Sequence, residues 1–135
     1  MRKLTLLSLS AISAILLSFT AIEASTWTLD KSHAKLGFSI THLMVSDVEG
    51  SFRSFESKIT STKADFSDAV VELTADANSI DTDNDKRDEH IKNADFLESS
   101  KFSTLTFNST SFTKVSGSNY KVKGNLTLHG VTKPV

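Results

Sequence analysis

The side chains best suited to acid–base or metal chemistry in this sequence are those of four histidines, His33, His42, His90 and His129. In a chain without Cys, a zinc or copper site would be built from imidazoles and carboxylates. No pair of these histidines has an H-x-H or H-E-x-x-H spacing. The spacing favours histidines that fix turns by hydrogen bonding, and a metal-dependent enzyme stays as an alternative.

Serine and acidic residues offer two other kinds of chemistry. Residues 32–33 and 88–90 place a hydroxyl or a carboxylate beside an imidazole, but the sequence has no G-x-S-x-G elbow that would expose a nucleophile. The acidic run at residues 81–85 starts like a calcium-binding loop, yet Lys86 and Lys92 stand where that loop needs Gly and Glu. We therefore expect no catalytic residue and no calcium loop.

The first residues predict a secretory signal. A basic start at residues 1–3 precedes an apolar, Ser-punctuated run at residues 4–19. Ala24 offers a cleavage point, with Ala21 as a second one, so we predict a signal peptide at residues 1–24 and a periplasmic or secreted domain at residues 25–135. The run is short for a membrane span of about 20 residues, which makes an uncleaved anchor the weaker alternative.

Composition narrows the class of the remaining domain. The absence of Cys excludes a disulfide framework and thiol chemistry. The formal net charge of −1 argues against a nucleic-acid partner, which would need a basic face. Nine Phe, one of them in the signal, supply more aromatic volume than a thin core needs. They indicate either ordinary packing or a tubular cavity for an elongated apolar ligand.

Period-2 alternation of apolar and polar residues predicts strands. The alternation is clearest at residues 120–128, and it also covers 26–30, 36–41, 57–62, 70–75 and 105–107. We predict turns at residues 43–50 and at residues 108–110, with a new strand starting at Phe112.

The charged segment at residues 80–91 breaks this rhythm and predicts a helix at residues 84–93, capped by Thr82 or Asp83. We expect four apolar residues to pack this segment onto the sheet: Ile91, Phe96, Leu97 and Phe102. Many strands and one short helix favour an all-β antiparallel barrel or sandwich. Because residues 133–135 open a further segment, we expect a barrel that is incomplete through C-terminal truncation.

Three segments resemble the YceI-like, polyisoprenoid-binding family of exported bacterial proteins. They are WTLDKSHAKLGFSITHLMVSDVEGSF at residues 27–52, DTDNDKRDEHIKNADFLESSKFSTLTF at residues 81–107, and GNLTLHGVTKPV at residues 124–135. The resemblance implies a lipocalin-like antiparallel β-barrel that continues past Val135. It also implies a non-catalytic carrier that holds an isoprenoid lipid, either a polyprenyl chain or a quinone tail, in a hydrophobic tunnel.

Such a carrier is expected to contact membranes transiently. Its oligomeric state is open, with a dimer as one possibility. A stress-response protein that binds no ligand is an alternative function. We predict site residues from the apolar face of each strand. That this face points into the barrel is inferred from the closure of the barrel, and any one strand could have the reverse orientation. The lining set is Phe38, Ile40, Val71, Leu73, Leu105, Phe107, Leu126 and Leu128; the entrance set is Phe52, Phe55 and Phe96; the polar head-group set is His42, Arg53 and Arg87.

Overall fold

The computed structural model describes residues 23–42 and 44–135. The predicted signal peptide falls almost entirely on residues 1–22, which lie outside this range. The described chain forms nine strands, a 3₁₀ turn at Ala77–Ser79 and one helix, α1, at Asp85–Lys92. The strands are β1 Ser25–Thr28, β2 Leu36–His42, β3 Ser46–Phe52, β4 Phe55–Ser61, β5 Val70–Asp76, β6 Ile80–Asp81, β7 Thr104–Ser116, β8 Asn119–Leu128 and β9 Val131–Pro134.

Two antiparallel sheets make up the fold. The larger sheet has the order β1-β4-β5-β7-β8-β9, and the smaller has the order β2-β3-β6. The predicted all-β antiparallel architecture with one short helix is therefore confirmed. Within the described residues, β2 pairs with β3 alone and β9 pairs with β8 alone, so no strand pair links these edges of the two sheets.

A bent corner joins the two sheets. At this corner β3 continues into β4, and β5 continues into β6 through the 3₁₀ turn. The Arg53 N–H donates to the Ser79 carbonyl at 3.0 Å, and the Asp76 N–H donates to the Ser54 carbonyl at 3.0 Å. Because backbone hydrogen bonds continue around the bend, the apolar side of the small sheet turns to face the apolar side of the large one.

The predicted turn at residues 43–50 is wrong in its extent. Strand β3 begins at Ser46 and pairs with β2, with Val48 opposite Ile40 and Gly50 opposite Phe38. Val48, Gly50 and Phe52 in fact continue a period-2 pattern, which the acidic residues between them obscure.

The predicted break at residues 108–110 is also wrong, because β7 runs through it as one strand of 13 residues. Ser109 lies opposite Gly124 and Ser111 lies opposite Lys123, which leaves Thr110 as an extra, unpaired residue. This β-bulge shifts the alternation by one position. Phe112 therefore returns to the side of the sheet that carries Phe107, although the two residues have opposite parity in the sequence.

Helix α1 matches the predicted segment, but its cap differs. The Asn84 side-chain oxygen accepts the Arg87 N–H at 3.0 Å, so Asn84 is the N-cap in place of Thr82 or Asp83. In the described part of the chain, no helix has the length and apolar character needed to cross a membrane.

A small core sits between α1 and the small sheet. Ala77, Ile80 and Leu97 are buried, and four half-buried residues pack around them, namely Phe38, Phe52, Ile91 and Leu128. Phe96 was expected to pack with them but is 50 % exposed. The core is thin because many of the apolar side chains line open spaces between the sheets.

Candidate functional site

The facing sides of the two sheets line a partly open apolar cavity of about 370 Å³, here called the barrel cavity. The small sheet contributes β2 and β3, and the large sheet contributes β5, β7 and β8. Every residue of its lining is apolar: Leu36, Gly37, Phe38, Phe52, Val71, Leu73, Leu105, Phe107, Val122, Leu126 and Leu128.

Strand register explains why these residues share one side. Leu73 lies opposite Phe107, and Phe107 lies opposite Leu126, so the three side chains form a row across β5, β7 and β8. Direct partners in antiparallel strands project to the same face. The adjacent row consists of Glu72, Asn108 and Asn125, which are exposed on the outer face.

A second cavity of about 430 Å³, here called the helix cavity, lies between the small sheet and α1. It shares Phe38 and Phe52 with the barrel cavity, and the centroids of these two rings are 5.7 Å apart. The two cavities therefore meet at this aromatic pair. The helix cavity is lined by Phe38, Ile40, Val48, Phe52, Ile80, Arg87, His90, Ile91, Phe96 and Leu97.

Arg87 and His90 give the helix cavity its polar groups. Arg87 Nε donates to Thr82 Oγ1 at 2.7 Å, and Nη2 donates to the Thr82 carbonyl at 2.6 Å. Thr82 is itself held, because its N–H and Oγ1 donate to Oδ1 of the buried Asp88 at 2.9 and 2.6 Å. The His90 ring packs edge-on to Phe96 with centroids 5.0 Å apart. Arg87 is thus fixed in position beside an apolar surface.

The structure brings most of the predicted site residues together. The barrel cavity contains the predicted Phe38, Phe52, Val71, Leu73, Leu105, Phe107, Leu126 and Leu128. The helix cavity contains the predicted Ile40, Phe96 and Arg87. Ile40 is 61 % exposed, so it lies at an opening and not deep in a wall.

Phe55 and Arg53 line neither of these cavities. Phe55 pairs with Ala75 and borders a separate surface pocket of mixed polarity near the corner between the sheets. Arg53 is occupied by Asp81, with Nε donating to Oδ2 at 2.6 Å. The pKa of Asp81 is lowered by the Asp83 N–H and then by Arg53. The side chain of the predicted His42 lies outside the described residues.

Sequence reasoning missed several lining residues. Leu36 and Val122 alternate with predicted neighbours, so their pattern could have identified them. Val48 was hidden by the acidic residues around it. His90 becomes a lining residue only through the position of α1, which no local pattern reveals.

Two of the other histidines fix loops. His33 Nδ1 lies 2.8 Å from Asp30 Oδ2, and this contact is the main reason that the pKa of Asp30 is lowered. His129 Nε2 lies 3.0 Å from Glu98 Oε2, which ties the β8–β9 turn to the segment after α1. Among the side chains that the structure describes, which leave out that of His42, no three His, Asp or Glu group as a metal site would require.

Comparison with known proteins agrees with this architecture. The family model described as YceI-like domain matches residues 27–135. A UPF0312 protein of Vibrio cholerae is 36 % identical over 135 residues, which cover 98 % of this chain and 71 % of the relative. The Campylobacter jejuni YceI protein is 30 % identical with a TM-score of 0.56, and the match covers 81 % of this chain and 64 % of that protein.

A more distant structure shares the fold. A polyisoprenoid binding domain from Saccharophagus degradans, implicated in plant cell wall breakdown, is 21 % identical with a TM-score of 0.58. The match covers 84 % of this chain and 64 % of that domain, so the chain spans somewhat less than two thirds of both solved structures. Because the family model matches residues 27–135 and the Vibrio cholerae relative aligns with 98 % of this chain, the chain belongs to the YceI-like family.

Proposed function

We propose that this protein binds the apolar chain of an isoprenoid lipid between its two sheets, as a periplasmic or secreted carrier without catalysis. The observation that carries the proposal is the barrel cavity, whose lining is apolar throughout. An apolar chain placed there gains about 25 cal/mol for each Å² that leaves water. Affinity would then grow with the length of chain that the cavity encloses.

The ligand class is supported by two further observations. The Saccharophagus degradans domain, described as polyisoprenoid-binding, shares this fold. The barrel and helix cavities also meet at Phe38 and Phe52, which provides an extended path for a long, narrow ligand. A polyprenyl lipid and a quinone tail share this chain chemistry and differ in the head group.

We assign the polar end of the ligand to the helix cavity. Arg87 is held there by Thr82, and it presents its charge beside the apolar lining. Ile40 and Phe96 are exposed at the opening, where an entering chain would meet them. Arg53 is a weaker choice because Asp81 already pairs with it.

A pair of substitutions on β8 tests the proposal. Leu126→Asp places a carboxylate inside the barrel cavity, whereas Asn125→Asp places one on the outer face of the same strand. Burying an unpaired charge costs several kcal/mol, and about 1.4 kcal/mol corresponds to a factor of ten in affinity. We expect Leu126→Asp to weaken binding of a fluorescent polyprenol at least about tenfold and Asn125→Asp to leave binding unchanged.

Circular dichroism would first establish that both variants keep the β fold. Equal uptake of the polyprenol by the wild type and by a folded Leu126→Asp variant would contradict the assignment of the barrel cavity. Loss of uptake in Asn125→Asp alone would contradict it as well, because that side chain faces away from the cavity.

A further inference from the structure

We infer that four aromatic residues close the barrel cavity at the end away from α1 and set the longest isoprenoid chain that it accepts. The inference rests on the proposed function, and it adds a specificity determinant. The four residues, here called the aromatic cluster, are Trp27, Phe66, Phe112 and Tyr120.

Strand register places the aromatic cluster at that end. Val71 and Val122 belong to the lining of the barrel cavity. Val71 lies opposite Ile59, which lies opposite Trp27, and Val122 lies opposite Phe112. On the β8 side the aromatic cluster therefore adjoins a cavity residue directly, and on the β5 side Ile59 alone separates it from Val71.

Phe66 connects the two sides of this end. Its ring centroid lies 4.8 Å from that of Trp27 and 6.3 Å from that of Tyr120, the second pair in edge-on geometry. Tyr120 stacks on Phe112 with centroids 4.7 Å apart. Such distances are those of favourable aromatic pairs. The four rings thus form a continuous chain from β1 to the β7–β8 hairpin.

The loop at residues 62–69 holds Phe66 in place. Phe66 has a φ of +59°, a conformation that a bulky residue rarely adopts. The Phe66 N–H donates to the Lys63 carbonyl at 3.2 Å, and the Phe66 carbonyl accepts the Ala69 N–H at 3.1 Å. Residues kept in such conformations are over-determined by their surroundings and often mark functional positions. This loop therefore fixes an aromatic ring at the end of the cavity.

The Asp68 side chain fastens the same loop to the end of β4. It accepts the Thr62 N–H at 3.0 Å and the hydroxyls of Ser61 and Thr62. Ala69 and Ser61 are both buried, so the base of the loop is anchored. An end wall held in this way would stop an apolar chain that enters from the helix cavity.

The distance available to the chain follows from β7. From Leu105 to Phe112 this strand extends by up to about 23 Å, at roughly 3.3 Å per residue. A chain longer than the barrel cavity and the helix cavity together can hold would leave its excess in water beyond the exposed Ile40 and Phe96, where that excess adds no affinity. Affinity should therefore rise with chain length and then level off.

Prenyl alcohols of increasing length test the inference. For the wild type we expect retention to increase with length up to a limit. In Phe66→Ala the loss of the ring opens space at the end of the cavity, and the limit should move by about one isoprene unit. Phe102→Ala is the matched control, because the Phe102 ring packs on His129 and lines neither cavity.

Fluorescence of the wild type provides a second readout that needs no variant. Trp27 is the only Trp of the chain and belongs to the aromatic cluster. Long prenyl alcohols should shift its emission, whereas short ones that also bind should not. An unchanged length limit in a folded Phe66→Ala variant, or no emission change with any bound chain, would overturn the inference. Binding of no chain of any length would instead overturn the proposed function.

Discussion

Single residues in the walls of the barrel cavity are closely packed even though the core is thin. A Cβ added to Gly124 would lie 2.5 Å from the Phe107 ring and would also contact the Asn108 carbonyl. At Gly37, the nearest atom to an added Cβ is the Gly50 carbonyl oxygen at 3.5 Å, an ordinary contact. Gly37, which lines the barrel cavity, and Gly124, which lies against the lining residue Phe107, thus differ in the space around them.

Gly124→Ala should destabilise the protein by about 1–3 kcal/mol, because the new methyl group must displace Phe107 or the β7 backbone. Denaturant unfolding followed by circular dichroism measures this change. Gly37→Ala serves as the control and should stay within about 0.5 kcal/mol of the wild type. Equal stability of the two variants would show that the wall can yield at Gly124.

The lining residues could be predicted because alternation within a strand is local information. Phe38, Leu73 and Phe107 were found in this way, and the structure brings them into one cavity. The role of a polar residue depends on its partners, which the sequence does not reveal. Arg53 and Arg87 looked equivalent, yet Asp81 occupies the first and Thr82 directs the second toward the helix cavity.

At the scale of elements, strands with clean alternation were predicted and irregular segments were not. The bulge at Thr110 reverses the alternation within β7, so a local pattern indicated two strands where there is one. Strand β6 has two residues and exists only because it pairs with β3 across the corner. Such features arise from tertiary pairing and not from propensity.

In the loop at residues 62–69, the charge of the Asp68 carboxylate is expected to affect the stability of the folded protein. Hydrogen bonds from the Ser61 hydroxyl first, and then from Thr62, hold the pKa of Asp68 well below its ordinary value of 3.8. A lowered pKa in the folded state means that the carboxylate stabilises the fold above pH 3.8. This contribution is lost as pH falls from there through the lower pKa of the folded protein.

Asp68→Asn should therefore be less stable than the wild type near neutral pH, and the difference should shrink as the pH falls below about 4. Denaturant unfolding at a series of pH values measures the difference. Asp95→Asn, an exposed residue after α1, provides a control for the loss of one negative charge. A stability difference that does not change with pH would show that the Asp68 charge is not what holds the loop.

At the scale of the whole molecule, the apolar side chains line cavities more than they form a packed core. A small buried cluster lies between α1 and the small sheet, and Ala75 and Leu105 are buried on the large sheet, whereas the barrel cavity is walled by both sheets. A ligand that binds the folded state alone stabilises it according to its concentration relative to its dissociation constant. An apolar chain between the sheets would thus complete the packing as well as occupy a site.

The measurement that tests the central claim most directly is mass spectrometry of lipid extracted from the wild-type protein after purification from its native host. We expect an isoprenoid lipid in close to stoichiometric amount, held through purification by the barrel cavity. A protein that carries no isoprenoid and takes up no added prenyl alcohol would contradict the claim.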